Sequence, residues 1–208
     1  MQIQRILLAL LLAVHCSSSL NGDEFKDSAS GISVTTNDDW NAASERVLAA
    51  LNQMSAKGAQ VHALKKEVRA TPETVGSRII LFHSKHKIST SEDNPNLILA
   101  VENVWTDAFE KSGLGYLELM KDRVKLLGAP TELIGKPVEL KIGDTAFYWM
   151  DALNTKVPEA KTKQRYICTH RGGRYIYFVL SINDEKDEDF KKMMTVVESF
   201  RYVPAKKG

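Results

Sequence analysis

Two cysteines in 208 residues are too few for a disulfide scaffold, and they stand far apart, at positions 16 and 168. With no Cys-x-x-Cys pair there is no sequence basis for a cysteine-ligated zinc site or a thioredoxin-like redox motif. Glycine (12) and proline (6) are too scarce for a fibrous or linker-like chain. Neither sign of charge dominates: 28 Lys and Arg against 26 Asp and Glu leave a formal net charge of +2. Such balance gives no electrostatic footprint for nucleic acid. The chain also contains no Gly-x-Ser-x-Gly, no His-Glu-x-x-His and no phosphate loop ending in Gly-Lys-Ser/Thr. What remains is an ordinary globular composition, 43% hydrophobic and 26% charged, long enough for one domain to bury a core unaided.

The first 19 residues stand apart from that core. Arg5 precedes an apolar run, Ile6 to Val14, and small residues follow at Cys16-Ser-Ser-Ser19. This is the layout of a secretory signal peptide, and the run is too short to span a bilayer. The expected product is exported, periplasmic or secreted, and not an integral membrane protein. Cys16 is the position a lipid anchor would use, but His15 fits a lipoprotein signal poorly, which favours release. If Cys16 survives unacylated it could pair with Cys168. Otherwise Cys168, between Ile167 and Thr169, reads as a small buried hydrophobe.

Residues 20–30 are polar and small, and read as a flexible leader. Gly31 to Thr36 alternates as a first strand, and Asn37-Asp38-Asp39-Trp40 turns into a helix over roughly residues 40–57. Ser77 to Ile88 and Asn96 to Trp105 read as strands apolar on both faces, which calls for a sheet covered on both sides. Ser112 to Leu127 forms a helix with Ser112 as its cap. Lys136 to Ile142 and Thr145 to Leu153 flank the turn Gly143-Asp144. Gln164 to His170 and Arg174 to Ile182 flank Arg171-Gly172-Gly173. Asn183-Asp184 then caps a helix over Glu185 to Ser199, whose acidic first turns suit the helix dipole. Residues 31–203 form the domain and 204–208 a short tail.

The double-glycine hairpin, the aromatic strand Arg174-Tyr-Ile-Tyr-Phe-Val-Leu180, the acidic helix and the exit Glu198-Ser-Phe-Arg-Tyr202 together resemble the PsbP-like superfamily. The opening Gly31-Ile-Ser-Val34, Trp40 and Leu97-Ile-Leu-Ala-Val-Glu102 extend that resemblance over roughly residues 30–203. The group includes the lumenal extrinsic subunit of photosystem II, a small Ran-binding import factor and many exported bacterial proteins of unknown role. The resemblance implies an α+β fold, an antiparallel sheet sandwiched between helices. It also implies a non-enzymatic protein that works by binding or assembly.

Chemistry-bearing residues are few. His83-Ser84-Lys85-His86 is the nearest approach to a metal motif, but on a strand residues three apart face opposite sides. Trp105 and Asp107 at the end of the Asn96 to Trp105 strand, with Glu102 within it, form the candidate ligand-binding group; Glu102 and Asp107 are also a candidate acid/base pair, although an acidic loop after a strand usually serves solvation. Ser112-Gly-Leu-Gly115 lacks the residues of a phosphate loop. The reading is therefore a non-catalytic assembly factor of the cell envelope with an unidentified protein partner and no cofactor. A ligand- or metal-binding protein is the alternative, and a hydrolase ranks last.

Overall fold

The computed structural model describes residues 22–53, 77–87, 94–103, 110–127, 131–154, 163–182, 185 and 187–204. The signal reading and Cys16 lie outside these residues, as do Trp105 and Asp107. The chain runs β1 (Glu24–Asp27), β2 (Ile32–Thr35), β3 (Asn41–Ala42), a helix α1 described over residues 45–53, β4 (Ser77–Ser84) and β5 (Asn96–Glu102). Then come α2 (Gly113–Leu127), β6 (Thr131–Ile142), β7 (Thr145–Asn154), β8 (Lys163–Arg171), β9 (Arg174–Ile182), α3 (Glu188–Glu198) and β10 (Arg201–Tyr202). Seven strands form one sheet in the order β3-β4-β5-β9-β8-β7-β6, and β1-β2-β10 form a small second sheet. Every pairing is antiparallel. This is an α+β fold in which helices cover both faces of the large sheet.

Side-chain alternation assigns the two faces. Ile176, Phe178, Leu180 and Ile182 of β9 join Leu97 and Leu99 of β5, Phe147 of β7 and Ile167 of β8 in one core with Met193, Val196 and Val197 of α3. Ile32 and Val34 of the small sheet close that core. The intervening residues Tyr175, Cys168, Met150 and Ala152 turn the other way and pack against Tyr116, Leu117 and Leu119 of α2. Both faces are filled: Leu97, Leu99, Phe147, Phe178 and Leu117 have no exposed surface.

Two hairpins follow the expected turn chemistry. Gly143 (φ 56°) and Gly172 and Gly173 (φ 58° and 75°) supply the left-handed backbone that tight turns between twisted strands demand. Gly113 has a different reason: a Cβ there would stand 1.9 Å from the carbonyl oxygen of Cys168. Only glycine lets the first turn of α2 lie directly on β8. Ser112 caps α2 as expected, its Oγ accepting the N–H of Gly115 at 3.1 Å.

Several boundaries differ from the sequence reading. The leader is not free: Glu24–Asp27 pairs with β2 as β1, and Phe25 packs on the core. A bidentate ion pair from Arg78 to Asp27, at 3.1 and 2.6 Å, fastens β1 to the large sheet. Burial alone would raise the Asp27 carboxyl, but Arg78 and Ser30 hold it below its ordinary range. The helix expected from residue 40 begins at residue 45, because Asn41 and Ala42 pair first with Ser84 and His83. Strands β4 and β5 stop short of Ile88 and Trp105, ending at Ser84 and Glu102. Strand β6 starts at Thr131, five residues before Lys136, and crosses a bulge between Ile134 and Val138. The last helix starts at Glu188, with Asp187 rather than Asn183 or Asp184 as its cap. No described helix is long and apolar enough to cross a membrane.

Candidate functional site

Glu102 ends β5, near the middle of the large sheet, opposite Ser77 of β4 and Tyr175 of β9. It is 1% exposed and points toward α2. Tyr116, in the first turn of α2, donates its phenol to Oε2 of Glu102 at 2.7 Å. The Tyr116 ring lies between those of Tyr175 and Tyr177, at centroid distances of 5.0 and 5.1 Å. Tyr177 shares a 2.6 Å hydrogen bond with Ser77, and Tyr175 donates to the carbonyl of Glu110 at 3.1 Å. His170 meets the Tyr175 ring edge-on at 5.0 Å.

The electrostatics of this cluster favour neutral phenols and thiol. Burial pushes the Cys168 thiol well above its ordinary value, and the charge of Glu102 adds to the effect. A thiolate nucleophile is thereby disfavoured. Tyr166 is pushed up to about 12, chiefly by burial, and Tyr175 is raised by burial and then by Glu102 and Glu110. Burial, followed by Lys111 and Arg171, lowers His170. The phenols therefore act as hydrogen-bond donors at neutral pH, and the cluster is a buried polar core in which Oε2 of Glu102 accepts from Tyr116.

The two histidines sit elsewhere. His83 lies at the far end of β4 from Ser77, six residues and about 20 Å along the strand, and faces α3 rather than α2. It is 2% exposed, its ring stacks on Trp40 at 5.6 Å, and its Nε2 accepts the backbone N–H of Asn37 at 3.3 Å. Burial lowers its pKa, against the pull of the Asp39 charge. His86 is exposed beyond the strand; its carbonyl accepts from Ser84 at 2.7 Å and Asn94 at 2.9 Å. The structure thus joins Glu102 to Tyr116 and the neighbouring tyrosines, and not to His83 or His86. Among the described residues no group of three or more His, Cys, Asp and Glu could hold a metal ion. An open depression of about 470 Å³ lies near the end of β4, lined by Asn41, Ala42, Ala43, Ser44, Val47, Ser84 and Lys87. Among its described lining residues, Lys87 carries the one charged side chain, and the Ser84 hydroxyl donates to the His86 carbonyl.

The most heavily engaged charge went unnoticed in the sequence. Arg165 of β8 is buried on the α3 face and grips Asp151 of β7 through Nε at 2.8 Å and a second nitrogen at 3.1 Å. It also reaches Glu185 at 3.0 Å, and its guanidinium lies 3.7 Å from the centre of the Trp149 ring. The signal was available: Arg165 and Asp151 occupy inward positions of adjacent strands, where charges need partners.

No protein-family model matches the sequence. No curated protein is significantly similar to it. Among solved structures, the chain is similar to the solution structure of cyanobacterial PsbP (CyanoP) from Synechocystis sp. PCC 6803, at 14% identity and a TM-score of 0.50. That match covers 90% of this chain and 96% of the other. A crystal structure from Bacteroides thetaiotaomicron VPI-5482 matches at 9% identity and a TM-score of 0.39, covering 90% of this chain and 51% of that one. Sheet order, two-sided helical cover and near-complete mutual coverage together give this chain the PsbP-like fold.

Proposed function

We propose that the protein is an exported, non-catalytic assembly factor of the cell envelope, acting by binding another protein. The observation that carries this reading is the state of Glu102, the candidate carboxylate. It is 1% exposed and bonded to Tyr116 beneath a helix, where a substrate has no described path to it. Both faces of the sheet are occupied by side chains, so the described surface, rather than the interior, is what the fold offers to a partner. The likeness to a PsbP structure supports the same class of role.

Gel filtration of native envelope extract tests this. The chain should elute in a complex well above its own 23.2 kDa, with one second polypeptide in constant ratio. Elution as a free monomer, with hydrolytic activity lost on Glu102→Gln, would overturn the reading. Intact-mass measurement should show loss of residues 1–19 and no added lipid at Cys16. The alternative, ligand or metal binding through Trp105, Asp107 and Glu102 or through His83 and His86, predicts stoichiometric metal or ligand on the purified protein. Loss of that metal in the His83→Gln, His86→Gln double variant would establish it.

A further inference from the structure

The connection between β2 and β3, residues 36–40, bridges the large sheet and α3, and it is fastened from both sides. Lys192 of α3 pairs with Asp39, and its carbonyl accepts the Asn37 side-chain amide at 3.4 Å. From the sheet, Nε2 of His83 accepts the Asn37 backbone N–H, and the His83 ring supports Trp40. An acceptor Nε2 requires a lone pair there, so the ring is neutral and carries its proton on Nδ1. Nδ1 of His83 and Nε1 of Trp40 have no hydrogen-bond partner among the described residues.

We propose that His83 is an acid-sensitive latch: protonating its ring releases residues 37–40 of the connection from the sheet and uncovers the side of β4 that Trp40 seals. A proton on Nε2 would point at the Asn37 N–H, turning a hydrogen bond into a donor–donor clash. It would also place a positive charge at a position 2% exposed. On the α3 side the connection is held by one exposed ion pair and one long amide hydrogen bond, while Thr36 stays anchored to the carbonyl of Asp23, so the release is confined to residues 37–40.

Charged groups approach His83 from the connection and from α3. The connection supplies Asp38 and Asp39, and the Asp39 charge favours the imidazolium. Helix α3 supplies Lys192, paired with Asp39, and Asp189, paired at 2.8 Å with Lys85 just beyond β4. The flanking strands present Ala42 and Leu97, which are uncharged. Lys192 holds Asp39 below the ordinary carboxylate range, so Asp39 stays ionised where His83 titrates. Burial outweighs Asp39 at His83, whose folded pKa is therefore below its ordinary 6.5. The latch is fully closed above that value and opens as the pH falls through the folded pKa.

Hydrogen exchange on the full mature chain tests the latch. After correction for intrinsic rates, protection at Trp40 and Ala43 should fall about tenfold or more between about pH 7.5 and about pH 5, while β8 and β9 amides hold. In His83→Gln, whose side chain can still accept from Asn37 without charging, that loss should vanish; in His170→Gln it should persist. Should His83→Gln fail to fold, imidazole NMR of the unaltered protein decides, with the Trp40 signals expected to follow the His83 midpoint. Constant protection in the unaltered protein, an equal loss in His83→Gln, or Trp40 signals indifferent to His83 would each overturn the proposal.

Discussion

The two faces of the large sheet are made by the same strands, yet they are built of different chemistry. The face under α3 is hydrocarbon: Phe147, Phe178 and Phe200 meet with centroid separations of 5.1–6.2 Å, and the aliphatic residues of β5 and β9 fill between them. The face under α2 is phenolic, with Tyr116, Tyr175 and Tyr177 arranged about the buried Glu102. Apolar packing rewards volume and tolerates small shifts of partner. A polar core instead depends on each donor reaching its acceptor. The first face should therefore dominate stability. The second should set how α2 sits.

The sharpest break of this comparison is Phe178→Ala. The residue has no exposed surface and touches two other phenyl rings, so chemical denaturation should show a loss of about 3–5 kcal/mol. Next comes Arg165→Ala, which breaks the buried guanidinium–carboxylate pair on the hydrocarbon face. Only 8% of the Arg165 side chain is exposed, and the change should destabilise by about 3 kcal/mol, cushioned by Lys163 at 3.0 Å from Asp151. It should also flatten the acid limb of the stability curve. Burial would raise Asp151, but Arg165 and Lys163 hold it below 3.8, so its contribution is present above that pH and lost as the pH falls below it.

Tyr116→Phe tests the phenolic face with almost no change of volume. Removing a hydrogen bond to a buried carboxylate should cost about 2 kcal/mol. If the two faces really differ in kind, Tyr116→Phe should also increase exchange at the start of α2 while leaving α3 unchanged. A loss spread evenly over both helices would count against the distinction. The smallest effect is expected at Val138, 43% exposed on the edge strand β6, where Val138→Thr should stay within about 0.5 kcal/mol.

Much of this arrangement was legible in the residues themselves. The alternation in Gln164 to His170 and Arg174 to Ile182 assigned both faces of β8 and β9, and the double glycine fixed the turn between them. Where alternation breaks, legibility ended. The bulge at Ile80 puts Ile79 and Leu81 on opposite faces, pairing with Ala100 and Leu99, so simple parity fails across β4. Gly135, Lys136 and Pro137 interrupt β6 in the same way and hid its first half. Strand β1 was invisible because Glu24, Lys26 and Asp27 are polar; its fixing comes from Phe25 and from Arg78, 51 residues away. Within the candidate ligand group, Glu102 is legible as the charged residue that ends the apolar run Leu97 to Val101. Its partner Tyr116 is not, since nothing local says which ring of α2 reaches a strand end 14 residues earlier.

The sequence by itself determined the period of each element, the tight turns and the two-sided burial, because these follow from side-chain direction and backbone conformation within a few residues. Only the tertiary structure decided that Glu102 is sealed under tyrosines, that Arg165 is clasped by Asp151 and Trp149, and that His83 holds the chain near Asn37. Those outcomes depend on which strands become neighbours, and the order β3-β4-β5-β9-β8-β7-β6 is set by long-range packing that no local stretch of residues encodes.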